Sequence, residues 1–231
     1  MSAPPVERPP LLAARGVTRS FGATEALRGA DVDVGAGEIV ALMGPSGSGK
    51  STLLHCMAGI LTPDAGEVWF DGARVDAMSD RTRTELRRER FGFVFQFGQL
   101  VPELSAIENV ALPLLLAGRP RARALGEAAP WFERLGLGGL ERRRPGELSG
   151  GEGQRVAMAR ALISGPDVVF ADEPTGSLDS LAGERVMDLL VDTAREEGST
   201  VVLVTHDPRV AAYADRDVVV RDGRALARVP A

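Results

Sequence analysis

One lysine constrains this chain more than any other feature. Of its 27 lysines and arginines, only Lys50 is a lysine, and it stands in the run GPSGSGKST at 44–52. A composition that uses arginine at every other basic position keeps an ammonium here, so the position needs a compact, flexible point charge and not positive charge alone. The spacing G-x-x-x-x-G-K-S explains why. Glycines let backbone amides curl round a phosphate chain, Lys50 reaches the β and γ phosphates, and Ser51 offers a hydroxyl to Mg²⁺. The candidate phosphate cradle is therefore Gly44, Pro45, Ser46, Gly47, Ser48, Gly49, Lys50, Ser51 and Thr52. Its flanks agree. EIVALM reads as a short buried parallel strand, and KSTLLHCMAGI continues as a helix whose N-terminal amides face the phosphates.

At 231 residues the chain suits one large domain, or one domain with an inserted subdomain. A formal charge of −5 argues against a nucleic-acid partner, because nothing overall favours association with a phosphate backbone. The arginines at 81, 83, 87, 88 and 90 alternate with Glu85 and Glu89 and fit a solvated, salt-bridged helix face better than a docking patch. Cys56 is the sole cysteine, which fits a reducing compartment and a small buried hydrophobe. The run MSAPPVERPP at 1–10 reads as a disordered arm without the apolar core of a secretory signal. No stretch approaches the roughly 18 consecutive apolar residues of a membrane span, so direct membrane insertion is not expected.

Along the chain, LLAARGVTRSF and EALRGADVDVGAGE alternate with period two and suggest an antiparallel arrangement. GEVWFDG is another strand, and FGFVFQ an apolar strand ending at Gln96. From about 97 to 165 the strand signal fades, and three helical runs predict a mostly helical subdomain inserted in an α/β core. PDVVFADEP and STVVLVTH then read as buried strands around a helix with Ala182, Val186, Leu189 and Leu190 on one face, which implies a parallel sheet.

In a parallel sheet the ligand lies outside the carboxyl ends of the strands. Gln96 closes one such strand, Asp172 and Glu173 another and His206 a third. Asp172 suits the Mg²⁺ shell, and Glu173, on the next face of the strand, suits the general base that polarises water. LSGGEGQR at 148–155 is a second strong signal. Ser149 and Glu152 have capping-box spacing, whereas the paired Gly150 and Gly151 weaken a helix start unless its amides must approach a phosphate closely.

In order and rough spacing, the phosphate loop, Gln96, LSGGEGQR, VVFADE, SLD and His206 resemble the ATP-binding-cassette (ABC) transporter ATPases over residues 11–228. FGFVFQ, VPELSAIENVALPLLLAG and ADEPTGSLDS look most like the lipoprotein-release and macrolide-export type. The resemblance implies an α/β P-loop NTPase fold with a mostly parallel core sheet, an N-terminal antiparallel β subdomain and an inserted helical subdomain. It further implies that Phe21 stacks on adenine, Gln96 touches Mg²⁺ and the water, His206 contacts the γ-phosphate, and Asp179 communicates across a dimer. Ser149 and Gly151 would contact nucleotide held by the other subunit of an ATP-bound, head-to-tail homodimer. A core role for Phe21 and a helix-capping role for Asp179 remain alternatives. Gly153 stands where this subgroup usually has glutamine.

Hydrolysis without a membrane span implies a separate transmembrane permease, and so a cytoplasmic subunit peripheral on the inner face of the cell membrane. Nucleic-acid or ribosome-associated ATPases with similar cassettes carry long coiled coils, zinc modules or a second cassette, and this sequence has none. A regulator without turnover would lack the base or the lysine, yet Glu173 and Lys50 are both present.

Overall fold

The computed structural model describes residues 9–96 and 98–227. Of the expected disordered arm, 1–8 lie outside the described residues. The chain then enters a hairpin of β1 (Leu12–Phe21) and β2 (Thr24–Val34), paired antiparallel from Leu12↔Val34 to Phe21↔Thr24. β3 (Ile39–Met43) runs into the phosphate loop and α1 (Lys50–Met57). β4 (Ala65–Phe70) and β5 (Ala73–Arg74) return to the hairpin, giving a four-stranded antiparallel sheet in the order β2-β1-β4-β5.

α2 (Asp80–Arg90) leads straight into β6 (Phe91–Phe95). α3 (Ala106–Leu116), α4 (Arg121–Arg134), a 3₁₀ turn at Pro145–Glu147 and α5 (Gly150–Leu162) follow. The core resumes with β7 (Val168–Asp172), α6 (Ser180–Glu197), β8 (Thr200–Thr205), the short α7 (Pro208–Ala211), β9 (Arg216–Arg221) and β10 (Arg224–Ala227). The second sheet has the order β10-β9-β3-β8-β7-β6 and is parallel except for β10.

Alternation along β7 and β8 sets the layers. Val168, Phe170, Val202 and Val204 face one core with α1 and the antiparallel sheet, while Val169, Ala171, Val201 and Leu203 face the other, with α3 to α6. Covered on both faces, these strands carry apolar residues at nearly every position. Cys56 is buried in the α1 layer, where desolvation raises its thiol pKa to about 11, so it behaves as a hydrophobe at neutral pH.

Three local expectations need correction. Of the expected face of α6, Val186 and Leu190 are buried but Ala182 and Leu189 are only half-buried at its edge; the inward stripe also takes in Gly183, Met187, Val191, Thr193 and Ala194, because the layer the helix packs on sets its rotation. β6 ends at Phe95, leaving Gln96 in the following turn. α2 carries the expected Arg81–Glu85 pair, but Arg87 turns inward, its Nη1 donating to the Gly59 carbonyl at 2.5 Å.

Candidate active site

The phosphate loop is shaped by glycines that crowding makes obligatory. Gly49 has φ 103, and a Cβ there would lie 2.4 Å from the Ala26 carbonyl oxygen. At Gly44 (φ 150) a Cβ would lie 2.1 Å from the Val220 carbonyl oxygen. β2 and β9 thus press against the loop from outside and allow no side chain. Lys50 is only 7% exposed, and its Nζ donates to the Gly44 and Pro45 carbonyls at 2.8 and 2.9 Å. The ammonium is held above the loop by weak neutral acceptors that an anion can replace. Ser48 Oγ is buried beside Gly44 without a partner among the described residues, a further polar atom available to a ligand. α1 begins without a side-chain cap or an acidic residue in its first turn, so its amides and positive dipole end are free.

The ends of β6, β7 and β8 bring their polar residues to the same sheet edge. Ser51 Oγ donates to Asp172 Oδ1 at 3.0 Å, and burial raises the Asp172 pKa while the Ser51 bond lowers it. This hydroxyl and carboxylate are hard oxygens of the kind Mg²⁺ takes alongside phosphate oxygens. Glu173 lies just beyond β7 at φ 47, a left-handed conformation. It therefore diverges from Asp172 by leaving the strand, not by the strand alternation expected from sequence. Its amide still donates to the Val204 carbonyl at 2.9 Å, which anchors the turn to β8. Glu173 Oε1 lies 2.8 Å from His206 Nδ1, with the carboxylate mostly sheltered and the imidazole exposed. A Cβ on Gly176 would lie 2.8 Å from Gln96 Nε2, so the Gln96 side chain rests against the turn that follows Glu173. Ser177 Oγ donates to the Gln96 carbonyl at 2.8 Å.

Phe21 is 48% exposed at the tip of the hairpin, which excludes the core role. Arg19 lies 5.2 Å from its ring centroid and is itself held by Asp64 at 2.7 Å and by the Thr62 carbonyl. One ring face is thus covered by a cation.

Ser149, Gly150 and Gly151 form a separate group. A Cβ on Gly150 would meet Leu178, and one on Gly151 would meet Ala182 and Arg155, at 3.2 Å or more; none of these neighbours belongs to the phosphate loop. The capping box is present: the Ser149 amide donates to Glu152 at 2.7 Å and the Glu152 amide to Ser149 Oγ at 3.4 Å. Asp179 Oδ1 accepts from the Ala182 amide at 2.9 Å, so it caps α6.

Sequence reading did not single out Arg19, Gln154, Arg160 or Ser177 near these residues. Each is held by a contact remote in the chain, which no local spacing marks. It also missed a groove lined by Ile60, Arg87, Phe93, Leu112, Leu116 and Arg160, where Leu116 and Ile60 are 64% and 43% exposed.

The sequence matches the family described as ABC transporter over residues 27–176. It is 43% identical over 221 residues to the lipoprotein-releasing system ATP-binding protein LolD of Hyphomonas neptunium, covering 94% of this chain and 97% of that protein. It is 46% identical over 224 residues to the macrolide export ATP-binding/permease protein MacB of Nitrosomonas europaea, covering 95% of this chain but 34% of that longer protein. Among solved structures, a dimeric ATP-binding cassette in a post-hydrolysis state bound to ADP and Pi superposes with a TM-score of 0.84 at 38% identity, covering 93% of this chain and 96% of that one.

Proposed function

The chain belongs to the ABC transporter family as an ATP-hydrolysing subunit, and we propose that two copies close head to tail on ATP and drive a separate transmembrane permease in export or in extraction from the membrane. The observation that carries this reading is the meeting of Lys50, the Ser51–Asp172 pair and the Glu173–His206 pair at one sheet edge.

In the proposed site the loop amides and Lys50 bind the phosphates, and Ser51, Asp172 and Gln96 would hold Mg²⁺, which would supply positive charge against that of the phosphates. Glu173 accepts the proton of the water that attacks the γ-phosphate as ADP leaves, while His206 orients that carboxylate and contacts the γ-phosphate. Phe21 offers its free face to adenine. Ser149, Gly150 and Gly151 serve the nucleotide of the opposite subunit, with Asp179 beside them at the junction. In support, Gly151 has neither a left-handed φ nor a close neighbour in its own chain that forbids a side chain.

No helix among the described residues is long and apolar enough to cross a membrane. The permease partner is supported by the relatives' names and by the exposed apolar groove, whose Leu116 and Ile60 would gain from burial. On this reading the subunit works in the cytoplasm, peripheral on the inner face of the membrane.

Glu173→Gln keeps the side chain's shape but cannot accept a proton. The variant is expected to bind ATP, lose hydrolysis and persist as a dimer in size-exclusion chromatography with ATP. A monomer that hydrolyses ATP at the wild-type rate would reject both base and dimer.

A further inference from the structure

Gln96 is suspended between two parts of the molecule. On one side Ser177, after β7, holds its carbonyl. On the other, α5 grips the chain both before and after it. Gln154, 2% exposed, donates Nε2 to the Phe95 carbonyl at 2.9 Å, while Arg160 donates Nη2 to the Gly98 carbonyl at 2.7 Å and Nη1 to the Gln99 carbonyl at 2.9 Å. A Cβ on Gly98 would lie 3.3 Å from the Gly153 carbonyl and 3.5 Å from Ala157 Cβ, so the loop lies against the helix with little room between them. Gln99, at φ 46, turns its carbonyl toward the fork from a left-handed conformation.

The Arg160 contacts are unusual for a sheltered cation. Its guanidinium is held by two backbone carbonyls and, among the described residues, by no carboxylate. Desolvation lowers its pKa with no opposing cause. An arrangement that leaves a desolvated charge without a counter-ion gives up stability. What it provides is geometry, since a planar fork fixes two acceptors at once as an ammonium does not. The same guanidinium lines the exposed groove, and its helix begins at Ser149.

We propose that Arg160 is a positioning residue for ATP hydrolysis: with Gln154 it fastens the chain on both sides of Gln96 to α5 and so sets where the Gln96 side chain stands beyond the end of β6. This rests on the role given to Gln96 above.

A double-mutant cycle separates this from simple support of the fold. Turnover, ATP affinity by titration with radiolabelled ATP, and thermal midpoint are measured for the wild-type chain, Arg160→Ala, Arg160→Lys, Gln96→Ala and the double variant Arg160→Ala with Gln96→Ala. Misplacing Gln96 is expected to lower kcat of Arg160→Ala by about tenfold while ATP affinity holds within about twofold. Arg160→Lys should recover part of the loss by reaching one carbonyl. In the Gln96→Ala background, removing Arg160 should change kcat by less than about twofold, because the group it positions is already gone. Independent, multiplying losses would overturn the proposal, as would an unchanged kcat in Arg160→Ala or a loss shared equally by affinity and midpoint. Normal turnover in Gln96→Ala beside a slow Arg160→Ala would overturn it too, since Arg160 would then act elsewhere. A wild-type chain without turnover would instead reject the site reading itself.

Discussion

Two helices here begin at glycine-rich turns, and the chain surrounds them very differently. α1 starts behind Gly49 with no side-chain cap, and the flanking Ser48 and Lys50 are almost wholly buried under β2 and β9. α5 starts behind Ser149 with a complete capping box, a carboxylate in its first turn, and Ser149 and Gly150 exposed. The uncapped start leaves amides with no side-chain partner, open to a ligand, and the packing around it fixes their direction. The capped start is stable alone and presents itself outward. On the proposed reading, one is a finished half of a phosphate site and the other a half whose counterpart lies on a second copy.

The largest expected effect tests the finished half. Lys50→Ala should lower Mg²⁺-dependent ATP hydrolysis by about 100- to 1,000-fold, since a directed cation is removed from the developing charge. A steady-state phosphate-release assay giving turnover near wild type would break the comparison at its root.

Mixing tests whether the two halves belong to different copies. A Lys50→Ala chain paired with a Ser149→Arg chain forms one site with both defects and one with neither. Differentially tagged heterodimers should regain ATP occlusion that neither variant shows alone. Occlusion is read because coupled sites can bind without cycling. Heterodimers that trap no ATP would return Ser149 to the role of a helix cap.

The smallest effect is expected at Gly153, with Gly49 as its contrast. Gly153→Ala puts a methyl where the nearest side chain is Leu100 at 4.0 Å, and should stabilise α5 by roughly 1 kcal/mol, about 2–4 °C in Tm. Gly49→Ala drives a methyl into the Ala26 carbonyl and should lower Tm and abolish ATP binding. Equal behaviour of the two in thermal melts and ATP titrations would show that neither helix start is shaped for a ligand.

Much of the site was legible because it is local. Lys50 and its glycines share one turn, and Asp172, Glu173 and His206 sit where apolar runs stop, as a parallel sheet requires. The missed residues are distant in sequence from what they touch: Arg160 reaches Gly98 across 62 positions and Ser177 reaches Gln96 across 81. Periodicity named the buried side of α6 one residue off, because helix rotation is set by the layer it meets.

By itself, then, the amino-acid sequence determined a nucleotide-binding α/β core, since phosphate loops, caps and buried strands follow from neighbours a few positions apart. The tertiary structure alone decided which residues work as pairs. It placed His206 on Glu173, Arg19 against Asp64 and Arg160 under the Gln96 loop. Each is a contact between elements, and its distance depends on how whole layers pack.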